Sequence, residues 1–139
     1  MNHMRKKLQD LLEQLAYDLP GYQSAAVVAV DDGLSVAKFS SDGNMETAAA
    51  AAYLASIVKS NAKAIKLLTG KQQTEDILVT TDQSYYLIRN LPGHPLFIFL
   101  MTERGEWIGK ARMLMQEYEP QITTILTDFF TIEEDSTPS

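Results

Sequence analysis

The chain contains no cysteine in 139 residues. Disulfides, thiolate zinc sites and a cysteine nucleophile are therefore excluded, while the redox compartment stays open. Histidine occurs twice, at His3 and His94, so imidazole chemistry has little material. No metal or cofactor site is expected. No apolar run approaches the roughly 20 residues that a membrane-spanning helix needs. The opening residues, Met1-Asn2-His3-Met4-Arg5, lead into an amphipathic segment and not into the apolar stretch of a secretory signal, so a cytoplasmic location is expected. Met4 offers a second start. Positive charge is also scarce. Twelve Lys and Arg stand against 18 Asp and Glu, for a net charge of -6 and a pI near 4.8. Such a surface is unsuited to phosphate backbones and to anionic lipid, so neither nucleic-acid binding nor membrane insertion is expected.

What the chain does have is a hydrophobic fraction of 45%, enough for one domain with its own core. Its most informative stretch is Met45 to Leu68, which holds the unbroken run Ala48-Ala49-Ala50-Ala51-Ala52. Alanine is the best helix former and adds almost no bulk. The run therefore predicts a smooth helix about 36 Å long, suited to close approach by a sheet, a second copy or a partner. Such a surface points to an interaction module rather than an enzyme.

The rest of the chain reads as short elements around that helix. Leu8, Leu11, Leu12, Leu15 and Leu19 recur at helical spacing, which predicts a first helix over Arg5–Asp18 that Pro20-Gly21 ends. Ala25–Val30 and Leu34–Phe39 flank Asp31-Asp32-Gly33, a hairpin signal. Asn44 is the expected N-cap of the central helix, and Gly70 its stop. Ile77–Thr81, Tyr85–Asn90 and Leu96–Met101 predict three more strands. Apolar residues from Trp107 to Phe129, including Tyr118, predict a last helix, which Pro120 is expected to kink or split. Residues 5–130 form one domain in this reading, and 131–139 are expected to be a disordered acidic tail.

The resulting order is α-β-β-α-β-β-β-α, an α+β fold. Short connections make its five-stranded sheet mainly antiparallel. Ala25–Val30 and Leu96–Met101 are apolar on both faces, so helices are expected on both sides: the central helix on one, the terminal helices on the other. Ile77–Thr81 is the expected edge strand, open to pairing.

A search for catalytic chemistry finds little. Ser56-Ile57-Val58-Lys59 matches Ser-x-x-Lys, but the Lys-Thr-Gly strand that accompanies it in penicillin-recognising enzymes is missing. Gly70-Lys71 lacks the first glycine and the Ser or Thr of a phosphate loop, with Ile65 and Gln72 in those places. Asp31, Asp32 and Asp42 do not have EF-hand spacing. His94 sits in a Pro-Gly-His-Pro turn. Arg89, Arg104 and Arg112 are isolated cations. Glu117 and Glu119 read as solvated charge. Trp107, Tyr118 and Phe129 read as core.

Together, the Pro20-Gly21 turn, the strand Ala25–Val30, the segment Asp32-Gly33-Leu34-Ser35-Val36-Ala37, the helix opening Glu46–Ala52 and the helix end Leu68-Thr69-Gly70 resemble the Roadblock dynein light-chain family in its prokaryotic branch. The likeness spans Leu8 to Phe129. Thr102-Glu103-Arg104-Gly105-Glu106 lacks an asparagine that the family often carries there. The resemblance implies a non-catalytic homodimer that regulates or scaffolds a small Ras-like GTPase. It implies central helices packed antiparallel between two copies, with the strands that follow them joined edge to edge. The dimer seam would then use Ala48, Ala51, Ala52, Ala55, Ile77, Val79 and Thr81, and Ala51→Glu would abolish dimerisation. The partner surface would draw on Tyr53, Ser56, Lys59, Ser60 and Lys63, with Glu46, Ile57 and Lys66 beside them. The alternative is a small-molecule sensor of profilin-like or PAS-like architecture, with Tyr85, Tyr86, Phe97 and Phe99 lining a pocket near Asp42-Gly43-Asn44.

Overall fold

A computed structural model describes residues 2–43 and 45–136. The chain runs α1 (Asn2–Asp18), β1 (Tyr22–Ala29), β2 (Ser35–Ser40), α2 (Thr47–Leu68), β3 (Ile77–Thr80), β4 (Ser84–Asn90), β5 (Leu96–Glu103) and α3 (Ile108–Ser136). The five strands form one sheet in the order β2-β1-β5-β4-β3. Every pairing is antiparallel, and β3 lies at one edge as expected.

Alternation along the strands builds two cores, one on each face. Ala25 and Val27 of β1, Leu87 of β4, and Leu96, Ile98 and Leu100 of β5 pack under α1 and α3. The leucines at 8, 12, 15 and 19 cover them from α1, with Met115, Ile122 and Leu126 from α3. Ala26, Val28, Ile88, Phe97 and Phe99 point the other way, onto Ala51, Leu54, Ala55 and Val58 of α2. Continuous apolar strands thus become a sheet covered on both sides.

Local devices fix the joints. The Glu106 carboxylate accepts the Gly21 N–H at 2.7 Å and the Trp107 N–H at 3.2 Å, tying the α1–β1 turn to the start of α3. Ser24, Ser40 and Thr47 close a triangle of hydroxyls, 2.8–2.9 Å on each side, and pin the first residue of α2 to β1 and β2. Tyr118 donates to Asp18 at 2.6 Å. Burial first, and this carboxylate second, push its phenol well above the ordinary tyrosine range.

Some expectations are corrected. Helix α2 starts at Thr47, not Met45, and Glu46 at its N-cap position makes no side-chain capping bond. The expected cap, Asn44, lies outside the described residues. Helix α3 runs unbroken through Pro120. Proline removes one N–H from the ladder, but both flanking turns are held by the core through buried Tyr118 and Ile122. The Thr123 hydroxyl also donates to the Pro120 carbonyl at 3.0 Å. Helix α3 extends to Ser136. Residues 137–139 lie outside the described part. Trp107 is 71% exposed and not core, since it precedes the first turn of α3, where Ala111 takes the inward place.

Gly33 has a φ of +71°, and a Cβ there would stand 2.6 Å from the Ala52 Cα. Gly33→Ala therefore strains the backbone and pushes the hairpin off α2. It is expected to cost about 2 kcal/mol or more and to lower the midpoint of thermal unfolding by several degrees. A variant that melts with the native protein would show that the hairpin yields freely.

Candidate interaction surface

Helix α2 lies over the β1 and β2 side of the sheet, and its residues divide into two stripes. Thr47, Ala51, Leu54, Ala55 and Val58 are buried inward. Ala50, Tyr53, Ile57, Ser60, Ala64 and Leu67 recur outward at alternating three- and four-residue steps, the spacing of a helix-pairing seam. Tyr53, Leu67 and Leu68 are 76%, 88% and 78% exposed. Large apolar side chains left so open on a regular helix make this stripe the candidate docking surface.

The helix carries Lys59, Lys63 and Lys66 and no acidic residue, although the chain as a whole is at -6. All three lysines are exposed and lie in its C-terminal half. Lys59 donates to the Asp31 carbonyl at 2.6 Å, which steadies it beside the β1–β2 turn. Tyr53, Ser56, Lys59, Ser60 and Lys63, the candidate partner residues, are all exposed on this helix.

The candidate seam residues separate. Ala48 and Ala52 are exposed, and Ile77 and Val79 are half-buried on the edge strand. Ala51 and Ala55, at 1% and 3% exposure, face the chain's own sheet and have no surface to offer a second copy. Thr81 falls beyond β3. Its N–H donates to the Ser84 carbonyl at 2.9 Å, and its carbonyl accepts from Arg104 at 2.6 Å, so both its backbone groups are used within the turn.

Because α2 sits toward one side of the sheet, the strands beside β3 are only partly covered. Tyr86, Met101 and Ile77 are half-buried against the edge of the α2 core. A groove of about 190 Å³ opens there, lined by Met45, Ala50, Leu54, Tyr86, Phe99 and Met101, with Ser24, Glu46 and Thr47 at its end. Of the four aromatics of the sensor reading, Tyr86 and Phe99 line this groove and the other two do not. Tyr86 meets Phe99 at 5.9 Å between ring centroids, Phe97 is fully buried, and Tyr85 lies under the Arg104 guanidinium.

Catalytic groups stay apart. Ser56 donates to the Ala52 carbonyl and Lys59 to Asp31, so the Ser-x-x-Lys pair is turned to separate partners. His94 meets the Thr127 hydroxyl at 3.2 Å and stacks on Phe130. Among the described residues no cluster of acids and histidines could hold a metal ion. Among them too, no helix is long and apolar enough to cross a membrane. None of the three arginines is isolated: Arg89 bridges Glu119 at 3.1 Å and Asp76 at 3.6 Å, Arg112 bridges Asp76 at 3.2 Å, and Arg104 donates to the Thr81 carbonyl.

No protein-family model and no curated protein matches the sequence. The fold is matched by solved structures. MglB of Myxococcus xanthus superposes with a TM-score of 0.79 at 14% identity, over 88% of this chain and 90% of that one. The chain has the Roadblock/LC7 fold. An MglB with a tetrameric arrangement gives 0.80 at 14% identity, over 90% and 91% of the two chains. A Roadblock/LC7 domain from Streptomyces avermitilis gives 0.70 at 15% identity, over 83% and 97%. At such identities the agreement is one of architecture: the α-β-β-α-β-β-β-α order and the antiparallel sheet of the Roadblock/LC7 fold are present.

Sequence reasoning missed three parts of this surface in the Roadblock/LC7 frame: Leu67 and Leu68, the groove, and the Arg89 network. The outward seven-residue repeat from Ala50 to Leu67 was a usable signal for the first. The groove and the network join residues from distant segments, which no local pattern reveals.

Proposed function

We propose that this chain is a non-catalytic, cytoplasmic, homodimeric regulator or scaffold for a small Ras-like GTPase. The observation that carries the reading is the open apolar stripe on α2 beside a partly covered sheet and a free edge strand. Two copies meeting there would bury Tyr53, Ile57 and Leu67 and pair β3 with its equivalent. The tetrameric arrangement of a similar MglB supports a fold that assembles with itself. Prokaryotic Roadblock proteins, which the sequence resembles, act on small GTPases through paired central helices. Here that platform carries lysines and exposed Tyr53.

Light scattering across a concentration series tests the foundation, with a dimer expected. A protein still monomeric at the highest concentration would remove it. Affinity capture from the source cell, run with GTP and with GDP, is expected to recover a Ras-like GTPase in one nucleotide state over the other. Capture that ignores the nucleotide would leave a scaffold and no switch regulator.

A further inference from the structure

A polar cleft of about 570 Å³ opens where α2 ends and the chain turns back toward β3. Small-molecule sites are of this size. One wall is the linker between the two elements, and three contacts fix that linker in place. Gly70, at a φ of +72°, reverses the chain and returns its N–H to the Ile65 carbonyl at 3.3 Å. The Asn61 amide donates to the Thr74 hydroxyl at 2.7 Å. Asp76 accepts from Arg112 at 3.2 Å. Residues 71–76 carry no apolar side chain, so burial cannot draw the linker down onto the sheet.

We propose that this cleft binds a small zwitterion, of the size and class of a free α-amino acid with a polar side chain. The charged lining is balanced: Lys66 and Arg89 stand against Glu75 and Glu119, in a chain whose net charge is -6. A phosphate group there meets two carboxylates, and a divalent cation meets a guanidinium and an ammonium. A ligand with one charge of each sign finds a partner for both. Arg89 and Glu119 supply the deeper pair, at 13% and 14% side-chain exposure. Their mutual bonds leave capacity over. Glu119 accepts from Nε and Nη2 of Arg89 through one oxygen, Oε2, and its Oε1 has no hydrogen-bond partner among the described residues. Arg89 Nη1 comes within 3.6 Å of Asp76, beyond hydrogen-bonding reach. A ligand ammonium takes Oε1, and the ligand carboxylate takes Nη1 with Lys66 beside it. The carboxamides of Gln72, Gln73 and Asn90 also line the cleft and offer donors and acceptors to a polar side chain. The cleft lies wholly within one copy, so the site does not rest on the homodimer proposed above.

Titration of the isotope-labelled native chain with L-glutamine, followed by NMR, tests this site. Saturable shifts below about 10 mM are expected at the side-chain amides of Asn61 and Asn90 and along the backbone of residues 72–75. L-Glutaminamide, which lacks the carboxylate, and N-acetyl-L-glutamine, which lacks the ammonium, are each expected to bind about 10-fold more weakly or worse. Lys66→Ala, an exposed substitution, is expected to weaken L-glutamine by about 3–5-fold while the rest of the spectrum stays native. No saturable shift, shifts centred away from the cleft, or equal binding of either blocked derivative overturns the zwitterion site and leaves the homodimer standing. A monomeric native chain that binds L-glutamine in this way removes the homodimer and keeps the site.

Discussion

Ala51→Glu is expected to unfold the chain, not merely to divide a dimer. Ala51 is 1% exposed and packs in the cluster of Ala26, Val28, Phe97 and Phe99. Glutamate there overfills a close-packed layer, at about 1–3 kcal/mol. Its carboxylate must also leave water for that apolar layer, which costs several kcal/mol more. The sum, about 4 kcal/mol or above, is comparable to the roughly 5–15 kcal/mol that holds a domain together. Urea unfolding followed by circular dichroism measures it. Ala49→Glu, on an exposed turn of the same helix, is the control and is expected to shift stability by no more than about 0.5 kcal/mol. If Ala51→Glu unfolds at the native denaturant concentration, the packing of α2 on its own sheet is wrong.

That result separates what the sequence shows from what it hides. The order of elements was legible because turn residues punctuate it: Pro20-Gly21, Asp32-Gly33, Gly70 and Pro92-Gly93 all fall between elements. Strand faces were legible too, since Ala25–Val30 and Leu96–Met101 are apolar at every step and must be covered twice. The orientation of α2 was not. Five alanines in a row carry no contrast in size or polarity, so nothing in Ala48–Ala52 says which one turns inward. Further along, Leu54 and Val58 face the sheet while Tyr53 and Ile57 face outward. Two apolar stripes on one helix blur any single amphipathic face. Sequence alone therefore does not separate Ala51 and Ala55, which pack on the chain's own strands, from exposed Ala48 and Ala52.

The same blindness applies to long-range polar contacts. Glu119 looks like a solvated acid next to Pro120, and Arg89 like a lone cation on a strand. Only the fold brings them together, across 30 positions of sequence, and adds Asp76 from the segment just before β3. Both partners of the Arg89–Glu119 pair are largely withdrawn from water, at 13% and 14% side-chain exposure. The pair ties β4 to α3 one residue before the helix loses a backbone donor to proline. It thereby helps hold α3 continuous where the sequence predicts a kink or a split.

Removing Arg89 while leaving its carboxylates is the second large effect expected. Arg89→Leu strands Glu119 with no cation and leaves Asp76 to Arg112 alone. The cost is expected to be about 2–4 kcal/mol, somewhat below that of a fully buried pair because some water reaches both groups. Glu119→Leu is expected to cost less, since Arg89 keeps Asp76 at 3.6 Å. Arg89→Leu with Glu119→Leu together is expected to recover most of the loss, because neither charge is then left unpaired. The three variants and the native chain make a double-mutant cycle in urea. A coupling energy near zero would make the pair a bystander and leave the continuity of α3 to the core residues around Tyr118 alone. A coupling of about 1 kcal/mol or more, above the roughly 0.5 kcal/mol within which independent sites add, assigns the pair a share in holding the helix against the sheet.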